Sequence, residues 1–265
     1  MTIRITAPKI LLTASVLAAA AFTLAACGSV TGDSGEAGGQ DGWTESDSTA
    51  EAGLSPMLFI GDSVAGQQAL PLTQAMAESG AYFIDGTSTG GGNLVGPNAE
   101  ESWKTLPEEI EEAAGGVIVY QITSYDWGAS AEQEEAYSDL AEAASDVGAD
   151  LLLISMPPIE PDEFYEDHMD ELASAEDVAR SMADDNDGVE YVDASAVWGE
   201  EYAQEHEGEV HRSDDGIHVC PQGAARFTSW LMEELTELYP EFESADAEEW
   251  ANNGWADDEA FFGCG

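Results

Sequence analysis

The amino-acid sequence predicts an α/β domain built on a parallel sheet, and three observations lead to that prediction. Short apolar segments alternate with amphipathic segments of helical length from residue 56 onward. Leu-Leu-Leu-Ile at residues 151–154 is an unbroken apolar run, which is typical of a strand covered on both faces. Between residues 57 and 66 an apolar run ends in Gly-Asp-Ser, which favours a strand that turns directly into a helix. We therefore expect one α/β domain over residues 56–265.

The strands and helices of this domain are predicted one by one along the chain. Strands are expected where short apolar runs stand between turn residues, at 57–60, 81–84, 117–122, 151–154 and 189–192. A first helix is expected after Ser63, because apolar residues recur there at helical spacing: Val64, Leu70, Leu72, Ala75 and Met76. Further helices are expected over residues 131–147, 169–183 and 222–238.

The first 26 residues have the pattern of an export signal. Arg4 and Lys9 precede an apolar, Ala-rich run over residues 10–26, which is short for a membrane span. The run ends in Leu-Ala-Ala-Cys-Gly, which resembles the lipobox of bacterial lipoproteins, so Cys27 is expected to carry a lipid anchor on the outer face of the cell membrane. An ordinary signal peptide with an incidental cysteine is the alternative. Residues 27–55, rich in Gly, Ser and acidic residues, are predicted to form a flexible tether.

The charge of the chain is strongly negative. Six basic residues stand against 55 acidic ones, for a formal net charge of −49. Such a surface repels nucleic acid and anionic membranes, so the sequence argues against binding of nucleic acid. We expect an adaptation to high salt, where screening weakens the repulsion among the acidic residues. The domain is expected to be a monomer.

Ser63 is the candidate nucleophile. At a strand–helix junction its hydroxyl projects past the carboxyl end of the strand, beside amide groups that can stabilise developing negative charge. The alternative is that Ser63 only caps the helix, since Ser is a favoured N-cap residue.

A serine nucleophile needs a base and an acid that orients the base. Asp215 and His218 stand three residues apart in a Gly-containing turn before the last helix, so one loop can present both groups. His168 and His206 lie in acidic stretches and are expected at the surface, while His211 has no acid at matching spacing. The alternative hypothesis for these histidines is a metal site built from His206, His211 and acidic residues. Its ligand spacing is loose, so no metal is predicted.

Gly61-Asp62-Ser63, with Asp215-Gly216-Ile217-His218 near the other end of the domain, resembles the SGNH (GDSL-type) hydrolases. The resemblance covers nearly the whole domain after Pro56, and residues 215–227 look most like SGNH domains of actinobacterial cell-surface proteins. It implies a flavodoxin-like three-layer α/β/α sandwich with a five-stranded parallel sheet. It also implies Ser63 as nucleophile, His218 as base and Asp215 as the orienting acid, with no cofactor.

The sequence departs from this family at the groups that stabilise the oxyanion. The family uses the amide of the nucleophile, a Gly after the second strand and an Asn after the third. Ser63 supplies the first, and Gly91 is the preferred match for the second, with Gly90 and Gly92 as alternatives. The Gly-x-Asn-Asp pattern is absent, since residues 121–127 read Gln-Ile-Thr-Ser-Tyr-Asp-Trp. Either a polar residue of that stretch or Asn93 from the Gly-rich loop is expected to donate instead.

Cys220 and Cys264 are predicted to form a disulfide. In an exported protein a remaining pair of cysteines is more often bridged than free or metal-bound, although both alternatives stay open at this stage. The bridge would pin the C-terminal segment against the region around His218.

The leading functional hypothesis is an extracytoplasmic, lipid-anchored serine esterase or acyl hydrolase of the SGNH type. The resemblance to glycan-modifying relatives points to O-acetyl groups of a surface polysaccharide as substrate, and transfer to a sugar would use the same residues as hydrolysis. A weakly active or inactive SGNH-fold module that binds a glycan or a partner acyltransferase is the rival. A lysophospholipase is a third possibility, although no apolar lid is visible in the sequence.

Overall fold

The computed structural model describes Ile3, Leu54 and residues 56–265. The predicted export signal, the lipid anchor at Cys27 and the tether over residues 27–55 lie, apart from Ile3 and Leu54, outside the described residues. Within the described part of the chain, no helix combines the length and the apolar character needed to cross a membrane.

Five parallel strands form the central sheet, in the order β2-β1-β3-β4-β5. Their bounds are Met57–Gly61 (β1), Phe83–Thr87 (β2), Val117–Gln121 (β3), Asp150–Ile154 (β4) and Val189–Val192 (β5). The register sets Gly61 at the end of β1 opposite Thr87 at the end of β2. Because every pairing is parallel, the loops that follow β1, β2 and β3 meet at one edge of the sheet.

Helices cover both faces of the sheet, which gives three layers. Their bounds are Ser63–Glu78 (α1), Ala99–Glu112 (α2), Ser130–Asp146 (α3), Met169–Asp185 (α4), Ser195–Trp198 (α5), Pro221–Leu238 (α6) and Ala247–Trp250 (α7). Successive side chains of a strand point to opposite faces, and β1 divides in this way: Met57 and Phe59 pack with α1 and α6, whereas Leu58 and Ile60 pack with α2 and α3. A two-stranded hairpin, Glu205–His206 (β6) and Glu209–Val210 (β7), lies outside the main sheet.

The predicted fold class is confirmed, and the differences have physical causes. Strand β2 begins two residues later than predicted and includes Asp-Gly-Thr, because it is an edge strand whose side chains are only partly buried. Helix α2 was not predicted. Its apolar residues Trp103, Leu106 and Ile110 do recur at helical spacing, but the segment is otherwise acidic and contains Pro107, which argues against a helix interior.

Candidate active site

Ser63 is the first residue of α1, and the preceding Asp62 is the residue that caps the helix. Asp62 Oδ1 accepts a hydrogen bond from the Val64 amide at 2.9 Å, while Asp62 Oδ2 accepts two from Ser124, from its amide at 2.9 Å and from its hydroxyl at 2.8 Å. The alternative that Ser63 only caps the helix is therefore wrong. With Asp62 satisfying the helix start, the Ser63 hydroxyl is left for other contacts.

The hydroxyl of Ser63 lies 2.9 Å from Nε2 of His218, and Nδ1 of the same imidazole lies 2.6 Å from Oδ2 of Asp215. The structure thus brings the three predicted residues into one hydrogen-bonded chain, although Ser63 and His218 are 155 residues apart in the sequence. An imidazole held in this way can accept the serine proton at Nε2, while the carboxylate fixes the proton on Nδ1.

The loop that carries His218 is shaped by Asp215 itself. Its other oxygen, Oδ1, accepts hydrogen bonds from the amides of Ile217 at 2.9 Å and His218 at 3.0 Å. Burial acts to raise the pKa of Asp215, but the amides and the imidazole together outweigh it and hold that pKa below its ordinary value. Gly216 has φ +80°, and a Cβ at this position would lie 2.8 Å from the carbonyl oxygen of Glu160, so the turn requires glycine.

Arg212 supports the same loop from beneath, a role that the sequence analysis did not identify. Its guanidinium is almost fully buried and donates to three main-chain carbonyls, of Pro158 at 2.8 Å, Ile217 at 2.7 Å and His218 at 3.3 Å. Burial lowers the pKa of Arg212 to about 10, so the group stays charged near neutral pH. The sequence clue to this role was the position of Arg212, a rare basic residue of the domain, three residues before Asp215.

A C-terminal strap, which we define as residues 258–264, lies over the loop that carries His218, which we call the histidine loop and define as residues 212–220. Cys264 is joined to Cys220 by the predicted disulfide. The buried side chain of Gln67 links the strap to the loop, because its amide donates to the Ala260 carbonyl at 2.6 Å while its oxygen accepts from the Val219 amide at 2.8 Å. Gln67 is one helical turn after Ser63, so α1, the histidine loop and the strap are connected through one side chain.

The Gly-rich loop after β2 rests on the turn that carries Ser63. A Cβ on Gly92 would lie 2.1 Å from the Gly61 carbonyl oxygen and 3.3 Å from the Asp62 nitrogen, and Gly92 has φ +80°. Gly91 is adjacent, and its Cβ position faces Asn98. The loop also lines a cavity of about 300 Å³ beside Thr87, Ser88, Ser102 and Thr105. The structure therefore places Gly92 in the tighter contact with the nucleophile turn, with Gly91 next to it.

The Asn93 side chain has a different place from the predicted one. Asn93 is fully buried, and its Nδ2 donates to the Val95 carbonyl at 2.7 Å. Its Oδ1 has no hydrogen-bond partner among the described residues. A group that binds an oxyanion must be reachable by substrate, so the expectation that the Asn93 side chain donates to the oxyanion is corrected: it fixes the Gly-rich loop from inside.

The loop after β3 uses most of its polar groups internally. Asp126 is fully buried and accepts hydrogen bonds from the amides of Thr123 and Leu94 and from the hydroxyls of Tyr120 and Tyr137. Burial raises the pKa of Asp126 to about 6, against the opposing effect of these donors. Asp126 is thus a structural carboxylate that joins the Gly-rich loop to the loop after β3.

Tyrosine hydroxyls are the polar groups of this region that the sequence analysis overlooked. The ring of Tyr165 packs beside that of Tyr125, with the ring centroids 6.1 Å apart. Burial raises the pKa of the Tyr165 hydroxyl, and the nearby Asp62 acts in the same direction, so the group remains a protonated donor.

The other histidines do not join the chain that contains Ser63. His168 stacks on Trp127 with ring centroids 3.7 Å apart and contacts Glu171 through Nδ1. His206 and His211 have ring centroids 5.3 Å apart, and burial lowers the pKa of His211 to about 4. Among the residues that the structure describes, no group of three or more potential metal-binding side chains is present.

Comparison with known proteins rests on structure, because no family model and no curated protein matches the chain. A protein of Bacteroides fragilis classed as an acylhydrolase superposes with a TM-score of 0.54 at 13% identity, over 76% of this chain and 100% of its own. A GDSL-like lipase from Bacteroides thetaiotaomicron gives 0.51 at 12% identity, over 69% of this chain and 89% of its own.

The chain has the SGNH hydrolase fold. LAE5, an alpha/beta hydrolase enzyme from the metagenome of Lake Arreo in Spain, also superposes, with a TM-score of 0.51 at 14% identity over 68% of this chain and 94% of its own. At such identities the likeness establishes the SGNH fold alone. The argument for function therefore rests on the geometry of the residues around Ser63.

Proposed function

We propose that the protein is a serine ester hydrolase that acts on O-acyl groups. The observation that carries the proposal is the chain of two hydrogen bonds from Ser63 through His218 to Asp215, at 2.9 and 2.6 Å. A serine that merely stabilised the fold would not need an imidazole and a carboxylate aligned behind its hydroxyl. This alignment is what general-base activation of a nucleophile requires.

The reaction follows from the positions of these groups. His218 Nε2 takes the proton of Ser63 as Oγ attacks the ester carbonyl carbon, which gives a tetrahedral intermediate. The intermediate expels the alcohol, which takes the proton from His218, and leaves an acyl ester on Ser63. Water, deprotonated by the same imidazole, then hydrolyses the acyl ester and regenerates the serine. Asp215 orients the imidazole throughout.

The oxyanion of the intermediate is assigned to main-chain amides. Ser63 is the first residue of α1, where amides have no partner inside the helix and the helix dipole favours negative charge. The Gly91 and Gly92 amides supply the second donor, since their loop is packed on the Ser63 turn. Glycine suits this position because a side chain would collide with the Gly61 carbonyl.

The substrate that we propose is an O-acetyl group on a surface glycan, reached by a protein tethered through a lipid on Cys27. The strongly acidic surface favours a neutral or cationic substrate over an anionic one. The cavity beside the Gly-rich loop is lined by hydroxyls and by the carboxylates of Glu101 and Glu109, which can hydrogen-bond to a neutral, hydroxyl-rich molecule. Transfer of the acetyl group to a sugar hydroxyl would use the same acyl-enzyme.

The test is hydrolysis of p-nitrophenyl acetate by the purified protein in molar salt, beside Ser63→Ala, His218→Ala and Asp215→Asn. We expect kcat to fall by about 10³-fold or more in each variant, because the three residues act as one unit. The control is Ser130→Ala, a serine at the start of α3. If the parent is no faster than Ser63→Ala while both remain folded, the protein is a binding module instead.

A further inference from the structure

The aromatic ring of Phe262 packs against the imidazole of His218 in an arrangement that the hydrolytic mechanism does not use. The two ring centroids are 4.8 Å apart and the ring planes are inclined by 57°. Phe262 is nevertheless 49% exposed, whereas its neighbour Phe261 packs into the core beside Trp255. A large apolar side chain that borders the catalytic base and remains open to solvent presents its free surface to whatever occupies the site.

The placement of Phe262 is fixed on both sides along the chain. Two residues before it, the Ala260 carbonyl accepts a hydrogen bond from Gln67. Directly after it, the Gly263 carbonyl accepts one from the amide of Asp214 at 2.9 Å. Two residues after it, Cys264 is covalently bonded to Cys220. Because each of these partners lies on α1 or on the histidine loop, the ring is held against the site rather than on a loose terminus.

The position of Phe262 relates it to one part of an ester substrate. The same imidazole that deprotonates Ser63 must afterwards deliver the proton to the leaving alcohol oxygen, so the alcohol lies next to His218. A group that packs on His218 therefore borders the alcohol rather than the acyl group. Phe262 offers that alcohol a flat apolar face and no hydrogen bond.

We propose that Phe262 forms the alcohol subsite of the enzyme and that the alcohol is a pyranose, whose ring presents a face of C–H groups to the aromatic ring. This inference rests on the proposed function and adds to it the residue that contacts the alcohol part of the substrate. A pyranose fits better than an alkyl alcohol because its hydroxyls project from the rim of the sugar ring and can stay in solvent while one C–H face packs on the half-exposed aromatic ring.

The experiment keeps the acyl group constant and varies the alcohol. Hydrolysis of a mono-O-acetylated methyl glucopyranoside and of methyl acetate is measured with the parent protein, Phe262→Ala and Phe262→Tyr. We expect Phe262→Ala to lower kcat/KM for the acetylated pyranoside about five- to tenfold, mainly through KM, because it removes one ring contact. The loss on methyl acetate, which has no ring, should be smaller, so that the ratio of the two kcat/KM values falls, and Phe262→Tyr, which keeps the aromatic face, should keep the parental ratio.

The control is Tyr82→Ala, which removes an aromatic side chain of similar exposure (63%) just before β2, at the opposite end of that strand from the Ser63 edge of the sheet. An equal loss on both substrates in Phe262→Ala would mean that the ring only positions His218. An unchanged rate on the pyranoside would mean that the ring does not touch the alcohol. Either result overturns the inference. If the parent hydrolyses neither ester faster than Ser63→Ala, the proposed function fails and the inference fails with it, before any Phe262 variant is considered.

Discussion

The side-chain oxygen of Gln67 accepts a hydrogen bond at 2.8 Å from the amide of Val219, the residue that follows His218. The other end of the same side chain binds the Ala260 carbonyl of the C-terminal strap. Gln67 belongs to the helix that begins at Ser63, so a contact that involves neither Ser63 nor His218 joins the two segments that carry them. Gln67 is therefore a positioning residue.

Replacing Gln67 by Met, which keeps the volume and removes both hydrogen bonds, should lower kcat about tenfold with little change in KM. The reason is that the Val219 amide loses a buried partner and His218 loses part of its alignment. Steady-state kinetics on p-nitrophenyl acetate measures the changes in kcat and KM separately. Gln68→Met is the matched control, because Gln68 is also buried on α1 but bonds to Gln121 instead of the histidine loop. Equal losses in the two variants would contradict the positioning role.

Glu176 should make the protein less stable as the pH rises towards neutrality. Burial, with the nearby Asp193, raises the pKa of Glu176 to about 7, against the attraction of Arg180. The folded state then binds this proton more tightly than the unfolded state, so the free energy of unfolding falls as the pH rises from about 4.5 through about 7. Glu176→Gln should consequently raise the melting temperature at pH 8 and leave it unchanged at pH 4.

The measurement is thermal unfolding across this pH range at fixed ionic strength. Glu134→Gln, which removes a charge from an exposed position of α3, provides the comparison. A gain at pH 8 of the same size in both variants would assign the effect to net charge instead of to the burial of Glu176.

The disulfide should contribute substantially to stability. Cys220 and Cys264 are 44 residues apart, and closing a loop of that length is worth about 4 kcal/mol in the chain-entropy model. The double variant Cys220→Ala/Cys264→Ala should therefore unfold at lower denaturant concentration than the parent, and it should also lose activity because the strap is released from the histidine loop. Unchanged denaturant midpoints would show that the hydrogen bonds to Ala260 and Gly263 hold the strap alone.

Salt should stabilise the protein. With a net charge of −49 the folded chain repels itself, and molar salt shortens the screening length to about 3 Å. The melting temperature should accordingly be higher in molar sodium chloride than in dilute buffer. Equal melting temperatures in both conditions would count against adaptation to high salt. Molar sucrose is the control, because it carries no charge and so stabilises proteins only by being excluded from their surface, without screening charges.

Local patterns in the sequence were sufficient to predict the sheet and the three residues of the hydrogen-bonded chain. Each central strand is a short apolar run, and Gly-Asp-Ser and Asp-x-x-His are each contained in one turn. What was missed depends on contacts between distant segments. The contact of Asp62 with Ser124 spans 62 residues, and the contact of Gln67 with Val219 spans 152 residues. Asn93 was misplaced because its burial is decided by how its loop packs, which composition does not encode.

The separation of 155 residues between Ser63 and His218 has a consequence for how the candidate site forms. Ser63 lies in the first turn of α1 and His218 lies just before α6, so neither half of the domain contains the whole hydrogen-bonded chain by itself. During synthesis, a nascent chain that has already formed β1 and α1 still carries an ordinary serine. The hydrogen-bonded chain can therefore form only after Asp215 and His218 have been synthesised, close to the segment that the disulfide at Cys264 holds.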